Sequence, residues 1–252
     1  MRVLSNTPGN PEKLISISKA AETLGVAIQT LRRWDQSGRL VAKKSVGGQR
    51  RYSLNQLKQM AMSNSFKVAE LWVKSESPTS LNEEVYCSNR AVFETRLQSF
   101  NQQLENNVLS LPLVVAIAGE IGNNSFDHNI GNWPDVPGVF FAFDLERNNL
   151  VLADRGRGLL TTLQKVRPSL TTHQEALEVG FTEVLTGRAP EKRGNGLKFV
   201  KKAIQSGTAS ITFQTGNAKL TMIAGANQFQ VVTTPDFVRG TLVSLDFNNL
   251  NK

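Results

Sequence analysis

Apolar residues are spaced along this chain in two regimes. Over residues 14–60 they come in short groups separated by turn-forming residues, and from residue 91 onward in longer helical and strand-like periods. In the first regime Ala20, Ala21 and Leu24 lie at helical spacing, with Gly25 placed to end that helix in a left-handed turn. Ile28, Leu31 and Trp34 share one face of a second helix. Two strand-like runs then flank Gly47-Gly48 and predict a β-hairpin, after which Ser53 is placed to cap a helix carrying Leu54, Leu57 and Met60.

The second regime opens at residues 91–107, where Phe93, Leu97, Phe100 and Leu104 recur every three or four positions and predict an amphipathic helix. Residues 111–129 predict a second, more apolar one. Residues 139–144 and 149–154 read as a strand pair turned near Arg147-Asn148. A glycine-rich turn ahead of residues 198–204 feeds a further helix, and the runs 210–213, 220–223, 229–232 and 240–247 supply more strands. The pattern predicts an α+β sandwich, with helices laid over a mainly antiparallel sheet. Between the two regimes, residues 61–85 are polar and centre on Ser75-Glu76-Ser77-Pro78-Thr79-Ser80, as a linker would be. Within them residues 67–73 can form a short helix or strand that packs on either neighbour. The expected division is a small domain over 1–62, a linker over 63–89 and a larger domain over 90–252.

Charge sharpens this division. The chain carries a net charge of +8, yet residues 1–74 hold 13 Lys and Arg against 4 Asp and Glu, and the remainder is close to neutral. Basicity confined to one end points to a polyanion-binding module joined to a body that does other work. No run approaches the roughly 20 apolar residues of a membrane helix, and Met1 to Pro11 lack the apolar stretch of a signal peptide. A cytoplasmic protein with no membrane partner is the expectation. Cys87 stands alone, with no Cys or His at metal-ligand spacing, and reads as a buried or indifferent thiol.

The first regime is a helix-turn-helix pattern, and the outer face of its second helix offers Gln29, Thr30, Arg32 and Arg33, side chains suited to base edges and phosphates. The hairpin arms add Lys43, Lys44, Arg50 and Arg51 for phosphate contacts. Ile17-Ser18-Lys19-Ala20-Ala21, Leu24-Gly25-Val26, Thr30-Leu31-Arg32-Arg33-Trp34, Gly38-Arg39-Leu40 and Gly48-Gln49-Arg50-Arg51-Tyr52 together resemble the winged helix-turn-helix of the MerR and excisionase type. The resemblance implies that the second helix enters the major groove of double-stranded DNA while the hairpin wing, Tyr52 included among its contacts, grips the backbone.

In the second regime Glu120, Asn124, Asp127 and His128 project from one face of an otherwise apolar helix, and polar groups so placed need partners that a ligand can supply. Asp154-Arg155-Gly156-Arg157-Gly158 ends a strand, and Arg193-Gly194-Asn195-Gly196-Leu197 opens a helix whose free N–H groups and dipole favour an anion. These motifs, with Gly240-Thr241, resemble in order the N box, two glycine boxes and strand-borne threonine of the GHKL, or Bergerat-type, ATP-binding fold of gyrase, heat-shock chaperone, histidine kinase and MutL-type proteins. That fold implies a mixed, mainly antiparallel sheet. The resemblance further implies ATP and Mg²⁺ as cofactors: Asp154 accepting the adenine amine with Thr241 in support, Asn124 on Mg²⁺, and Asp127, Gly156 and Gly158 lining the site. Gly194, Asn195, Gly196 and Leu197 would lie at the phosphates, with Glu120 orienting or deprotonating an attacking water or hydroxyl. Residues 161–193, rich in cations, would be the lid over the nucleotide, or a solvated mobile loop that never touches it. Arg155 and Arg157 carry no assigned role.

The combined expectation is a DNA-binding regulator in which Mg-ATP modulates DNA binding or dimerisation, with a homodimer and a further protein among its partners. The alternatives are an ATPase or protein Ser/Thr kinase of the anti-sigma-factor type addressed to DNA, and a mobile-element accessory protein.

Overall fold

The computed structural model describes residues 13–24, 26–45, 47–54, 56–57, 65–106, 111–183 and 196–247. The chain divides into two compact units, residues 1–64 and 65–252.

In the small unit, β1 (Leu14–Ser16) leads into α1 (Ile17–Leu24) and α2 (Ile28–Gln36), followed by β2 (Lys43–Lys44) and β3 (Arg50–Ser53). Both outer strands pair antiparallel with β3, in the order β1-β3-β2. Most apolar positions read as helical faces do meet: Ala20, Ala21, Leu31, Leu40, Tyr52 and Leu57 form one core, with Ile17, Leu24 and Trp34 packed against it, whereas Ile28, expected on the same face as Leu31, is exposed. β1 is the element the periodicity misses, because only three residues long it is defined by its pairing of Ile15 with Tyr52, across the unit. The helix expected after Ser53 lies largely outside the described residues.

The larger unit holds α3 (Ser65–Lys74), β4 (Tyr86–Cys87), α4 (Arg90–Asn106), α5 (Pro112–Asn129), β5 (Val139–Asp144) and β6 (Asn149–Asp154). Then follow α6 (Gly158–Leu163), α7 (His173–Thr182), α8 (Gly196–Gln205), β7 (Ser210–Met222) and β8 (Gln230–Asp246). The strands form one sheet in the order β4-β5-β6-β8-β7. Every described pairing in it is antiparallel. The expectation of a mixed sheet is corrected here for a topological reason: β6 and β7 run the same way, but β8 returns between them, so parallel strands never become neighbours.

Alternation along the strands assigns the faces. Val139, Phe141, Phe143, Leu150, Leu152, Val243 and Leu245 pack with α4, α5, α7 and α8 in the main core. Phe100 lies 4.7 Å from Phe143 and 6.1 Å from Phe141 in an aromatic cluster there, and burying side chains of this size contributes about 1.5–3 kcal/mol each. α4 and α5 approach so closely that a Cβ on Gly122 would stand 2.1 Å from the Phe93 ring.

On the opposite face Phe140, Ala142, Val151, Ala153, Val238 and Leu242 meet Ala69, Trp72 and Val73 of α3. The stretch expected to be a linker therefore begins with a packed helix. Its apolar residues at positions 69, 72 and 73 follow helical spacing, a signal outweighed in the sequence by the polar run after it. Two further expectations change. The four strand runs after residue 209 merge into the long hairpin β7–β8, which carries register shifts at Gly216 where φ is 55°. The first part of the expected lid contains α7, whose Ala176, Leu177 and Phe181 are buried, so that part is core rather than a solvated loop.

Candidate functional site

The small unit presents a cationic surface. With Leu31 turned into the core, helical periodicity turns Gln29, Arg32, Arg33 and Gln36 outward, and together with Thr30 they line a hollow of 350 Å³. The β2–β3 ladder sets Lys43 opposite Arg51 and Lys44 opposite Arg50. Like charges directly opposite repel, and Asp35 relieves one pair: Arg50 Nε donates to Asp35 Oδ2 at 2.6 Å, while the Ala42 amide donates to Oδ1 at 2.9 Å. The Ala42 amide and then the Arg50 guanidinium hold the Asp35 carboxyl below its ordinary value. Arg50 is thus a clamp between the wing and α2 as well as a wing cation. Tyr52, expected among the DNA contacts, is corrected to a core residue: it is fully buried and its hydroxyl donates to the Leu31 carbonyl over 3.4 Å. Arg39, part of the MerR-like motif but not named as a contact, lies 4.5 Å above the Trp34 ring.

In the larger unit a buried carboxylate organises the end of β6. Asp154 is 2% exposed. Its Oδ2 accepts from Ser125 Oγ of α5 at 2.9 Å and from Thr241 Oγ1 of β8 at 2.5 Å, and its Oδ1 accepts from the Gly156 amide at 2.8 Å. Burial pushes the Asp154 carboxyl above its ordinary value, against the pull of these three donors. A carboxylate offers about four lone-pair sites, so these three donors leave one acceptor position unused. Two glycines make the approach: a Cβ on Gly156 would stand 2.1 Å from Asn129 Nδ2, and one on Gly240 would stand 2.3 Å from the Asp154 carbonyl oxygen. Gly158, at φ 71°, lies against Thr215 Oγ1, which donates to the Gly240 carbonyl at 2.8 Å.

One turn back along α5, Asn124 Nδ2 donates to Glu120 Oε1 at 3.1 Å. This bond directs the amide nitrogen to Glu120 and leaves the Asn124 carbonyl oxygen as a ligand of the hard kind Mg²⁺ takes. A Cβ on Gly196, the first residue of α8, would sit 1.9 Å from Glu120 Oε1 and 3.0 Å from Asn124 Nδ2. The structure therefore brings Glu120, Asn124 and Gly196 together. Asp127 is instead held by an ion pair with Arg90. Leu197 packs on the main core, and Gly194 and Asn195 lie outside the described residues, as do the lid cations Arg188, Lys192 and Arg193. Among the described residues no group of three or more His, Cys, Asp or Glu is disposed to hold a metal.

Sequence reasoning missed Ser125, Asn129 and Arg155. Asn129 joins α5 to the glycine-rich segment, accepting from the Arg157 amide at 2.9 Å; its signal was the i, i+4 spacing from Ser125. Arg155 is 1% exposed. Its Nε donates to Asp135 Oδ2 at 2.8 Å, and its Nη1 donates to the carbonyls of Trp72 and, at 2.9 Å, Ser75. Burial would raise the Asp135 carboxyl, yet Arg155 and the Val136 amide hold it below its ordinary value. Cys87 is buried, its thiol pushed up to about 11 despite the Arg96 donor at 3.1 Å, which leaves it inert at neutral pH.

The small unit has the architecture of a winged helix-turn-helix: two short helices, a two-stranded wing and a third strand closing the sheet. Residues 16–52 match the MerR family regulatory protein signature, and this unit carries a MerR-family helix-turn-helix domain. The match covers less than half of the chain. No curated protein gives a significant match. Among the described residues no helix is long and apolar enough to cross a membrane.

Proposed function

We propose that this protein is a DNA-binding regulator whose larger unit is a GHKL-type ATP-binding domain, with Mg-ATP modulating DNA binding or dimerisation. DNA recognition is supported by the MerR-family domain and by the outward face of α2 beside the wing cations Lys43, Lys44 and Arg51. The nucleotide reading is carried by one observation: a fully buried Asp154, satisfied by Ser125, Thr241 and Gly156, with an acceptor position to spare for an adenine amine. The convergence of Glu120 and Asn124 of α5 with Gly196 at the start of α8 agrees with it. Bound Mg²⁺ would neutralise phosphate charge, and Asn124 would hold it. Thr241 and Ser125 fix the Asp154 carboxylate against rotation, and Gly156 makes room for the Asn129 amide that joins α5 to the glycine-rich segment.

Calorimetric titration with Mg-ATP tests this. Removing the charge in Asp154→Asn forfeits a charge-assisted hydrogen bond of about 1.5–3 kcal/mol, an affinity loss of about ten- to a hundredfold. Absence of binding by the wild type, or equal binding by the variant, contradicts the assignment. A second reading, an ATPase or protein kinase, draws on Glu120 Oε1 lying at the start of α8, where a γ-phosphate would meet a positioned base. Phosphate release or partner labelling that disappears in Glu120→Ala would favour it over a sensor.

A further inference from the structure

We infer that Arg155 is a positioning residue that ties the state of the Asp154 carboxylate and its partners to the seating of α3 on the opposite face of the sheet. The inference rests on the nucleotide reading above and names how that site would be regulated.

Strand alternation carries the argument. Leu150 and Leu152 face the main core while Val151 and Ala153 face α3, so Asp154 points toward α5 and its neighbour Arg155 points to the other side. Asp154 is bound by Ser125 of α5, and Arg155 binds the chain at the end of α3. One peptide unit thus joins two faces, and it has little freedom, since the next amide donates to Asp154 Oδ1 and the next Cα abuts Asn129.

The guanidinium is more than a plug. It collects the Trp72 and Ser75 carbonyls, Ser75 Oγ at 3.3 Å, the Glu76 carbonyl at 3.4 Å and both approaches to Asp135 Oδ2, at 2.8 and 2.5 Å. Arg239 Nε reinforces the Ser75 carbonyl at 3.1 Å from β8, the strand that also carries Thr241. The last carbonyls of a helix lack partners within it; Arg155 joins Ser75 Oγ, at 2.9 Å, on the Trp72 carbonyl and takes the carbonyls of the two residues that leave α3. Filling this space with an apolar side chain would avoid the desolvation of a buried charge but leave these acceptors without the donor. A ligand that engages Asp154 and Thr241 restrains the two strand positions from which α3 is held, and coupling of this kind is reciprocal.

Hydrogen exchange on the full-length protein, with and without saturating Mg-ATP, tests the coupling, and calorimetry on the same samples reports nucleotide binding separately. In the wild type the amides of residues 68–76 are expected to slow about fivefold or more on binding. Arg155→Lys, which lacks the planar fork, and Asp135→Asn, which keeps an acceptor oxygen for the buried guanidinium but removes the charge, are first checked for folding by thermal melt; both should still bind Mg-ATP and protect α5, yet lose the response at 68–76. Nucleotide binding with no change at 68–76 in the wild type, or an undiminished response in both variants, overturns the inference while leaving the nucleotide reading intact. No binding in the wild type overturns both, and calorimetry distinguishes that case.

Discussion

Gly196 and Arg155 mark two ends of what single residues reveal. Gly196 is readable as part of a glycine-rich turn, and its position against Glu120 Oε1 agrees with that reading. Substitution by Ala places a Cβ where the Glu120 carboxylate lies, so the carboxylate must leave Asn124. The expected result is an affinity for Mg-ATP reduced by about tenfold or more, with a melting temperature shifted by only a few degrees, as for one displaced hydrogen bond. Paired titration and thermal unfolding would check it, and a variant that melts early yet binds normally would run against the assignment. The end of β6 at Asp154, ahead of Gly156 and Gly158, was likewise legible from the sequence. Arg155 was not, because its partners at positions 72–76 and 135 are distant in sequence and lie on the far side of the sheet. Tyr52 shows the opposite failure: a residue among cations, read as a surface contact, is the centre of the small core.

At the scale of elements, long periodic segments were the most legible. α4, α5, β5 and β6 fall where their apolar spacing puts them, because each buries a full face. α3 was obscured because only Ala69, Trp72 and Val73 drive its packing, and β7–β8 because Gly216 admits a register shift that keeps a turn-like sequence inside a strand. In the small unit the wing meets α2 through Asp35, which bonds Arg50 and the Ala42 amide. An acid with a lowered native pKa binds protons less readily when folded. Its stabilisation is therefore present above its ordinary value of 3.8 and is lost as pH falls through the lowered native one. Asp35→Asn is expected to cost about 1–2 kcal/mol at neutral pH and to flatten the acid limb of the stability profile. Denaturant unfolding from pH 7 to pH 2, followed through Trp34, would check this; an unchanged profile would remove Asp35 from that role.

For the whole molecule, the charge split proved more informative than total charge. In the first unit the cations Arg32 and Arg33 lie on α2 and Lys43, Lys44, Arg50 and Arg51 on the wing, with Arg50 partly neutralised by Asp35, and the near-neutral larger unit buries the Asp154 carboxylate at the end of β6. The proposed regulation requires that the DNA-facing module and the proposed nucleotide site share free energy, and a ligand can shift DNA affinity only by its differential affinity for two states. The direct measurement is the affinity of the full-length protein for a duplex selected by it from a random pool, at fixed salt, with and without saturating Mg-ATP. The account predicts a change of about fivefold or more, in either direction, that disappears in Asp154→Asn. Equal affinities in the two titrations, with nucleotide binding verified in the same buffer, would contradict it.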